Sequence, residues 1–304
     1  MSSDSQMSIK QTALFFRNAL ETFSASQDAF RVLSRVPRTR PPLPSHATTH
    51  GAGKPSDQAV TKLIILDSSF NPPTKAHAQM ASSALRDTGP GARLMLLLAV
   101  NNADKSVVPA PFDVRLGMMD GFARDLVRDH AQGQRGVPGP VELASEALEV
   151  DIAVTTLPYF HAKSAAIAAL EPYGGAEQVF LCGFDTVVRI LNPKYYGAGA
   201  MKQVLGPFFR RARIRVTMRD GDEWGSEEEQ AAYGEGLERE LASSGGDGHW
   251  ARRIELVKGV QGAISSSMVR ATVTRSGDEA TGRLEGLVGG QVERWICEER
   301  LYRE

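Results

Sequence analysis

Cysteine is nearly absent: Cys182 and Cys297 are the only two in 304 residues. They make no disulfide framework and read as ordinary buried thiols in a reducing compartment. An excess of one charge is missing too. Lys and Arg total 35, Asp and Glu 36, and the formal net charge is −1. Proteins that track a phosphate backbone usually carry a basic excess, so nucleic acid is not expected as the main partner. No apolar run approaches the about 20 residues that a membrane-spanning helix needs, so no membrane crossing is expected. Asp4 and several serines precede any apolar stretch, which disfavours a secretory leader. Arg17, Arg31, Arg35 and Arg38 suit a transit peptide, whereas Asp4, Glu21 and Asp28 speak against one. A cytoplasmic or nuclear protein is the resulting expectation. Histidines are few, and His46 and His50 fall in a Pro-, Ser- and Thr-rich stretch where solvated loop side chains are expected. No metal ligands are expected from the protein.

What is present begins with residues 62–81. Leu63-Ile64-Ile65-Leu66 is an uninterrupted apolar run, which reads as a strand buried on both faces. Asp67, Ser68 and Ser69 end it. Phe70-Asn71-Pro72-Pro73 excludes helix, because proline fixes φ, lacks an N–H donor and pushes the preceding residue out of the α region. Thr74 is a suitable N-cap for a helix carrying Ala78, Ala81 and Leu85 on one face. Strand, rigid loop and helix together set free backbone N–H groups and a positive helix end beside a strand's carboxyl end, a site suited to phosphate. His77, on the first turn of that helix, faces the same place.

The rest of the chain repeats the alternation. Residues 8–35 carry Leu14, Phe15, Ala19, Phe23, Phe30 and Leu33 at helical spacing, predicting one or two amphipathic helices. Residues 36–57 read as a linker. Further strands are predicted at 94–100, 150–155, 179–182, 214–218 and 254–257, with helices after 111, at 161–170, at 185–191, through Met268, Val269 and Val273 and over 284–302, and a Gly/Pro loop at 133–140. This rhythm predicts an α/β protein with a parallel sheet, right-handed crossovers and helices on both faces. Residues 219–248, acidic and Gly-rich, break the rhythm and read as an insertion or mobile loop, within which Glu227 to Leu241 suits a surface helix.

A second constellation is Ile264-Ser265-Ser266-Ser267-Met268-Val269-Arg270. Its serines offer an N-cap, and Arg270 lies one turn in, so hydroxyls, free N–H groups and a guanidinium converge as a triphosphate tail requires. A plain capped helix with a surface arginine fits the residues equally. Gly183-Phe184-Asp185 leaves a predicted strand at the sheet's ligand edge, where Asp185 suits either a helix cap or a ligand contact. Lys105 and Arg219 follow other strands and suit either anion contact or solvent. No paired carboxylates, Cys/His pair or metal cluster stands out, so nothing points to a covalent intermediate.

The segment from Ser69 to Thr74, with His77, resembles the first signature of the nucleotidylyltransferase superfamily in the form used by nicotinamide mononucleotide adenylyltransferases. Ser68 stands where the superfamily usually has glycine, and Thr74 where it often has histidine. The segment from Ile264 to Arg270 resembles the second signature, with Ser267 in place of threonine. Gly183-Phe184-Asp185 is similar to the family's Gly-x-Asp, and Leu287-Val288 with Trp295-Ile296 resembles its closing helix. The resemblance covers about residues 62–302. Asp67 to Thr74, Gly183-Phe184-Asp185-Thr186 and Asn192-Pro193-Lys194-Tyr195-Tyr196 together look most like the fungal group.

The resemblance implies a Rossmann-like, doubly wound parallel sheet, the nucleotidylyltransferase fold, over 61–304, with an N-terminal helical extension and linker over 1–60 and an acidic insertion at 219–248. It implies adenylyl transfer from ATP to nicotinamide mononucleotide, giving NAD and pyrophosphate. The partners implied are ATP and a pyridine mononucleotide, with Mg²⁺ carried mainly by ATP. His77 would serve the α/β-phosphates and Arg270 the β/γ-phosphates. Substrate contacts would come from Ser69, Phe70, Asn71, Thr74, Lys105, Gly183, Asp185, Ser265, Ser266 and Ser267. Another small-molecule nucleotidylyltransferase and a non-catalytic nucleotide-binding interaction protein remain alternatives. Cytidylyltransferases usually carry Arg-Thr-x-Gly before the second signature; Val260-Gln261-Gly262-Ala263 here favours ATP.

Overall fold

The structure is a computed structural model that describes residues 7–37, 60–89, 91–100, 110–134, 148–197, 199–219, 224–259, 264–276 and 282–303. In chain order the elements are α1 (Ile9–Ser24), β1 (Phe30–Val36), β2 (Lys62–Asp67), α2 (Lys75–Thr88), β3 (Ala92–Ala99), α3 (Phe112–Gln134), β4 (Val150–Thr155), α4 (Phe160–Ala168), β5 (Glu177–Gly183), α5 (Phe184–Ile190), α6 (Met201–Arg211), β6 (Ala212–Thr217), α7 (Glu227–Ser243), β7 (Ile254–Val257), α8 (Ser266–Ser276) and α9 (Gly290–Glu298). The strands form one sheet in the order β1-β4-β3-β2-β5-β6-β7, parallel except for β1.

The central strands have no solvent-facing side. Leu63, Ile64 and Ile65 are fully buried, and alternate residues serve opposite cores. Ile64 and Leu66 pack with α1, α2, α3, α8 and α9, whereas Leu63 and Ile65 pack with α4, α5, α6 and α7. β2 is hydrogen-bonded to β3 on one side and to β5 on the other. Its own crossover runs to β3, while β4 hands the chain on to β5. The strand order therefore reverses between β2 and β5, and the crevice outside their carboxyl ends is where such sheets hold ligands.

Several expectations need correcting. The helical reading of 8–35 holds for α1 only. Phe30–Val36 is a strand paired antiparallel with β4, with Phe30 opposite Thr155 and Arg35 opposite Asp151. Phe30 and Val36 are buried there, so tertiary pairing overrides the spacing seen in the sequence. The first 60 residues thus add an edge strand as well as a helix. Within 219–248 the helix suited to Glu227–Leu241 forms as α7, opened by a reciprocal Ser226–Glu229 capping box, so this part of the insertion is an ordered element and not a loop. Its Leu237 and Leu241 are buried in the second core. α6 has no counterpart among the elements expected from the sequence. The closing helix is shorter than 284–302 suggested: α9 starts at Gly290, and Leu284 and Val288 are buried in the turns before it. The linker with His46 and His50, Lys105 and most of the 133–140 loop lie outside the described residues.

Candidate active site

The loop from Ser68 to Thr74 leaves the carboxyl end of β2 and is almost wholly buried apart from Ser68 and the exposed Ser69. Phe70 sits at φ 46°, a left-handed conformation costly for a residue with a side chain. Its ring is fully buried, with its centroid 5.5 Å from that of His77 and 6.5 Å from that of Phe122. Packing thus holds the turn that aims the next residues at α2.

His77 is gripped at both ring nitrogens. Thr74 N–H donates to Nδ1 at 3.0 Å, Thr74 Oγ1 lies 2.8 Å from the same nitrogen, and Ser68 Oγ is 2.9 Å from Nε2. Burial, then the nearby Arg219 guanidinium, lowers its pKa to about 4. The ring is therefore neutral at physiological pH. Fewer N–H groups of α2 remain free than the sequence suggested, because Lys75 N–H donates to Leu287 O at 2.8 Å.

The two signature segments meet directly. Arg270 Nη1 donates to Asn71 O at 2.8 Å, and Ser266 Oγ donates to Pro72 O at 2.8 Å. Arg270 Nη2 also reaches Ser267 Oγ at 3.2 Å, and Met268 N–H donates to Ser265 Oγ at 3.1 Å, the cap of α8. A third segment joins them: Tyr302 O–H donates to Asn71 Oδ1 at 2.9 Å, with both side chains buried.

Gly183 is the N-cap of α5, at the end of the strand next to β2. A Cβ there would come 2.9 Å from Asp185 Oδ1, so the Asp185 side chain would have to swing away to admit one. Asp185 lies 3.6 Å from Arg189 and is half exposed, so its carboxylate faces outward at the sheet's ligand edge. Arg219, exposed at the end of β6, is fixed through its backbone: its N–H donates to Gln230 Oε1 at 3.2 Å and its carbonyl accepts from Gln230 Nε2 at 2.7 Å. A cavity of about 610 Å³ opens here, walled by Thr74, Lys75, Met218, Arg219 and Ile264 and extending along α2 to Arg86. That volume is in the range of small-molecule sites. Among the expected site residues, only Thr74 lines it; Ser68, His77, Gly183, Asp185, the α8 serines and Arg270 do not.

Sequence reasoning missed three features. Lys163 on α4 forms a buried ion pair with Asp67, the last residue of β2. Lys163 was legible as the only charged residue of α4. Tyr159, exposed at the start of α4, stacks on His161 with centroids 5.5 Å apart, and His161 meets Tyr196 edge-on at 6.1 Å. Since Lys163 touches Asp67, this aromatic group lies at the same strand-end side as the signature loop. The Tyr302 contact had no sequence signal, as only the fold brings it under Asn71.

Among the described residues, no group of three or more His, Cys, Asp or Glu side chains is placed to hold a metal ion. No helix among them is long and apolar enough to cross a membrane.

No protein-family profile matches the chain. Among solved structures, the Plasmodium falciparum nicotinic acid mononucleotide adenylyltransferase aligns with 80% of this chain and 97% of its own length. Its complex with NaAD gives a TM-score of 0.48 at 14% identity, and its complex with APC gives 0.47 at 12%. A curated Schizosaccharomyces pombe protein, provisionally named a nicotinamide mononucleotide adenylyltransferase, is 32% identical over 271 residues, 88% of this chain and 90% of that protein. With that identity along nearly its whole length, and with both signature segments joined at one strand end, the chain belongs to the nicotinamide mononucleotide adenylyltransferase family of the nucleotidylyltransferase superfamily.

Proposed function

We propose that the protein transfers the adenylyl group of ATP to nicotinamide mononucleotide, releasing NAD and pyrophosphate. The observation that carries this reading is the direct junction of the two signature segments, Arg270 to Asn71 and Ser266 to Pro72, beside the start of α2. The substrate brings its own nucleophile. An oxygen of the mononucleotide 5′-phosphate attacks the α-phosphorus of ATP in line, the new P–O bond forms, and the bond to the bridging oxygen breaks as pyrophosphate leaves. No proton must be removed from the nucleophile, so the protein's task is to place two anions and offset charge on the oxygens.

In this reading, the Ser68–His77 pair serves the α/β-phosphate region. Arg270 with Ser265, Ser266 and Ser267 serves the β/γ-phosphates, with Arg270 turning from Asn71 O toward the ligand. Ser69, Phe70, Asn71 and Thr74 shape the loop against the triphosphate. Gly183 and Asp185 meet the sugar region, and Lys105 meets the mononucleotide phosphate. The exposed face of Tyr159 offers the mononucleotide's aromatic ring a stacking surface. Mg²⁺ belongs to the substrate in this scheme, arriving on the triphosphate, where such ions usually keep most of their non-protein ligands.

The test is direct. Purified protein with ATP, Mg²⁺ and nicotinamide mononucleotide is expected to give NAD and pyrophosphate in equal amounts. ATP binding without either product would favour a nucleotide-binding interaction protein. Product with a different phosphate acceptor alone would favour another nucleotidylyltransferase.

A further inference from the structure

We propose that the hydroxyl of Ser68, rather than the His77 ring, is the hydrogen-bond donor presented to the nucleotide's phosphate, with His77 standing behind it to orient and polarise it. This rests on the adenylyl-transfer reading above and assigns the atom that touches the ligand.

The directions of the hydrogen bonds at the ring carry the argument. A backbone N–H can only donate, so the 3.0 Å contact from Thr74 N–H to Nδ1 means that Nδ1 offers its lone pair. A neutral imidazole holds one N–H, which must then be on Nε2. Nε2 lies 2.9 Å from Ser68 Oγ, so Nε2–H donates and the serine oxygen accepts. The ring has no second proton to give. Charging it would set a new Nδ1 proton against Thr74 N–H, so the same contact opposes a protonated ring. An incoming anionic oxygen therefore finds the histidine's one donor already committed to Ser68.

The serine is left with its own O–H, which cannot point back at Nε2–H. Ser68 is the first residue beyond β2, and its N–H donates to Leu97 O at 3.2 Å. Its position is thus set by the sheet, at the carboxyl end of β2 beside β3. Thr74 N–H, the His77 ring and Ser68 O–H form one head-to-tail chain, and each bond strengthens the next. Its final donor can meet a non-bridging phosphate oxygen as negative charge builds there. No proton is transferred; the chain stabilises charge and is restored unchanged when pyrophosphate leaves.

The test compares the wild type with Ser68→Ala, Ser68→Thr, His77→Ala and the Ser68→Ala/His77→Ala pair, using ATP, Mg²⁺ and nicotinamide mononucleotide. Ser68→Ala is expected to lower kcat by about 10²-fold, the usual cost of one preorganised donor, with a much smaller change in KM for ATP. Ser68→Thr keeps the hydroxyl and is expected to recover at least about tenfold of that loss. The double variant is expected to be within about threefold of the slower single variant, because groups acting as one unit do not lose activity independently. Ser68→Ala as fast as the wild type, or losses that multiply in the double variant, would overturn the inference while leaving adenylyl transfer standing. A wild type that makes no product would remove the underlying reading, and this inference with it. Nitrogen NMR of the free protein gives a readout independent of activity: the His77 Nδ1 is expected to be unprotonated, and a proton there would overturn the proposal.

Discussion

At His77, contacts with the protein itself decide the charge of the ring. Burial first and Arg219 second bring its pKa from 6.5 to about 4. Between those values the unfolded chain binds a proton that the folded chain refuses, so stability rises with pH across that window and is fully present above it. A His77→Gln variant does not titrate. Relative to it, the wild type is expected to gain about 1–3 kcal/mol of unfolding free energy between about pH 4.5 and pH 7, read from urea melts. An equal pH response in the two proteins would contradict the lowered pKa. Asp67 and Lys163 give a second residue-scale test. Burial pushes the Asp67 carboxyl up, and Lys163 pulls it back down. Lys163→Met leaves that carboxylate buried alone and is expected to cost about 3–5 kcal/mol, whereas adding Asp67→Asn should recover most of it. A single variant that loses under about 1 kcal/mol would show that water, not Lys163, solvates Asp67.

The element that most needs support is the Ser68–Thr74 loop, with Phe70 in a left-handed turn. Support comes from segments remote in sequence: α8 through Ser266 and Arg270, the turn before α9 through Leu287 O, and Tyr302 through its phenol. Tyr302→Phe keeps the ring and leaves Asn71 Oδ1 without its donor, which is expected to cost about 1–3 kcal/mol by chemical denaturation. If the phenol also sets the loop, the same variant should lower kcat/KM for adenylyl transfer, with little change at saturating substrate. The strand, loop and capped helix around residues 62–88 were legible in the sequence because an apolar run, a Pro-Pro pair and an N-cap each act locally. β1 was not, because Phe30 and Leu33 have helical spacing and only pairing with β4 makes them strand. α6 was hidden by Gly206 and by Pro207 inside it. α7 is legible as a helix near Glu227 to Leu241, but its acidic composition hides that Leu237 and Leu241 are buried; the Ser226 and Glu229 capping box and the acids at its positive end fit the helix. The serines and Arg270 of α8 suit either ligand groups or a plain capped helix by residue type, and in the free protein Ser266 and Arg270 hold the signature loop. Sequence shows which groups are present, whereas only the fold shows that they are already hydrogen-bonded to one another.

For the molecule as a whole, the sharpest question is whether residues 1–37 are an appendage or part of the fold. Composition placed a boundary near residue 60, and an appendage would leave the sheet intact when removed. The packing argues otherwise. α1 buries Ile9, Phe16 and Phe23 in the same core as α3, α8 and α9, and β1 adds Val36 to it. Arg17 reaches Asp113 at 2.9 Å and Arg35 reaches Asp151 at 2.8 Å, with Asp151 fully buried. Without β1, the β4 edge would lose its partner and Asp151 its 2.8 Å Arg35 contact, leaving it Tyr173 O–H at 2.5 Å and Arg93 at 3.9 Å. Two phenylalanines, an isoleucine and a valine, at about 1.5–3 kcal/mol each, give roughly 6–12 kcal/mol of gross apolar stabilisation before the cost of ordering the segment. That is comparable with the about 5–15 kcal/mol by which whole domains are stable. A chain starting at residue 38 is therefore expected to melt at least about 10 °C lower, or to aggregate through the bare β4 edge. It should lose nucleotide binding in step with folding, since the signature loop rests on that same core through Phe70. A truncated protein that melts within a few degrees of the full chain and still binds ATP would show that the segment only covers a sheet able to stand without it.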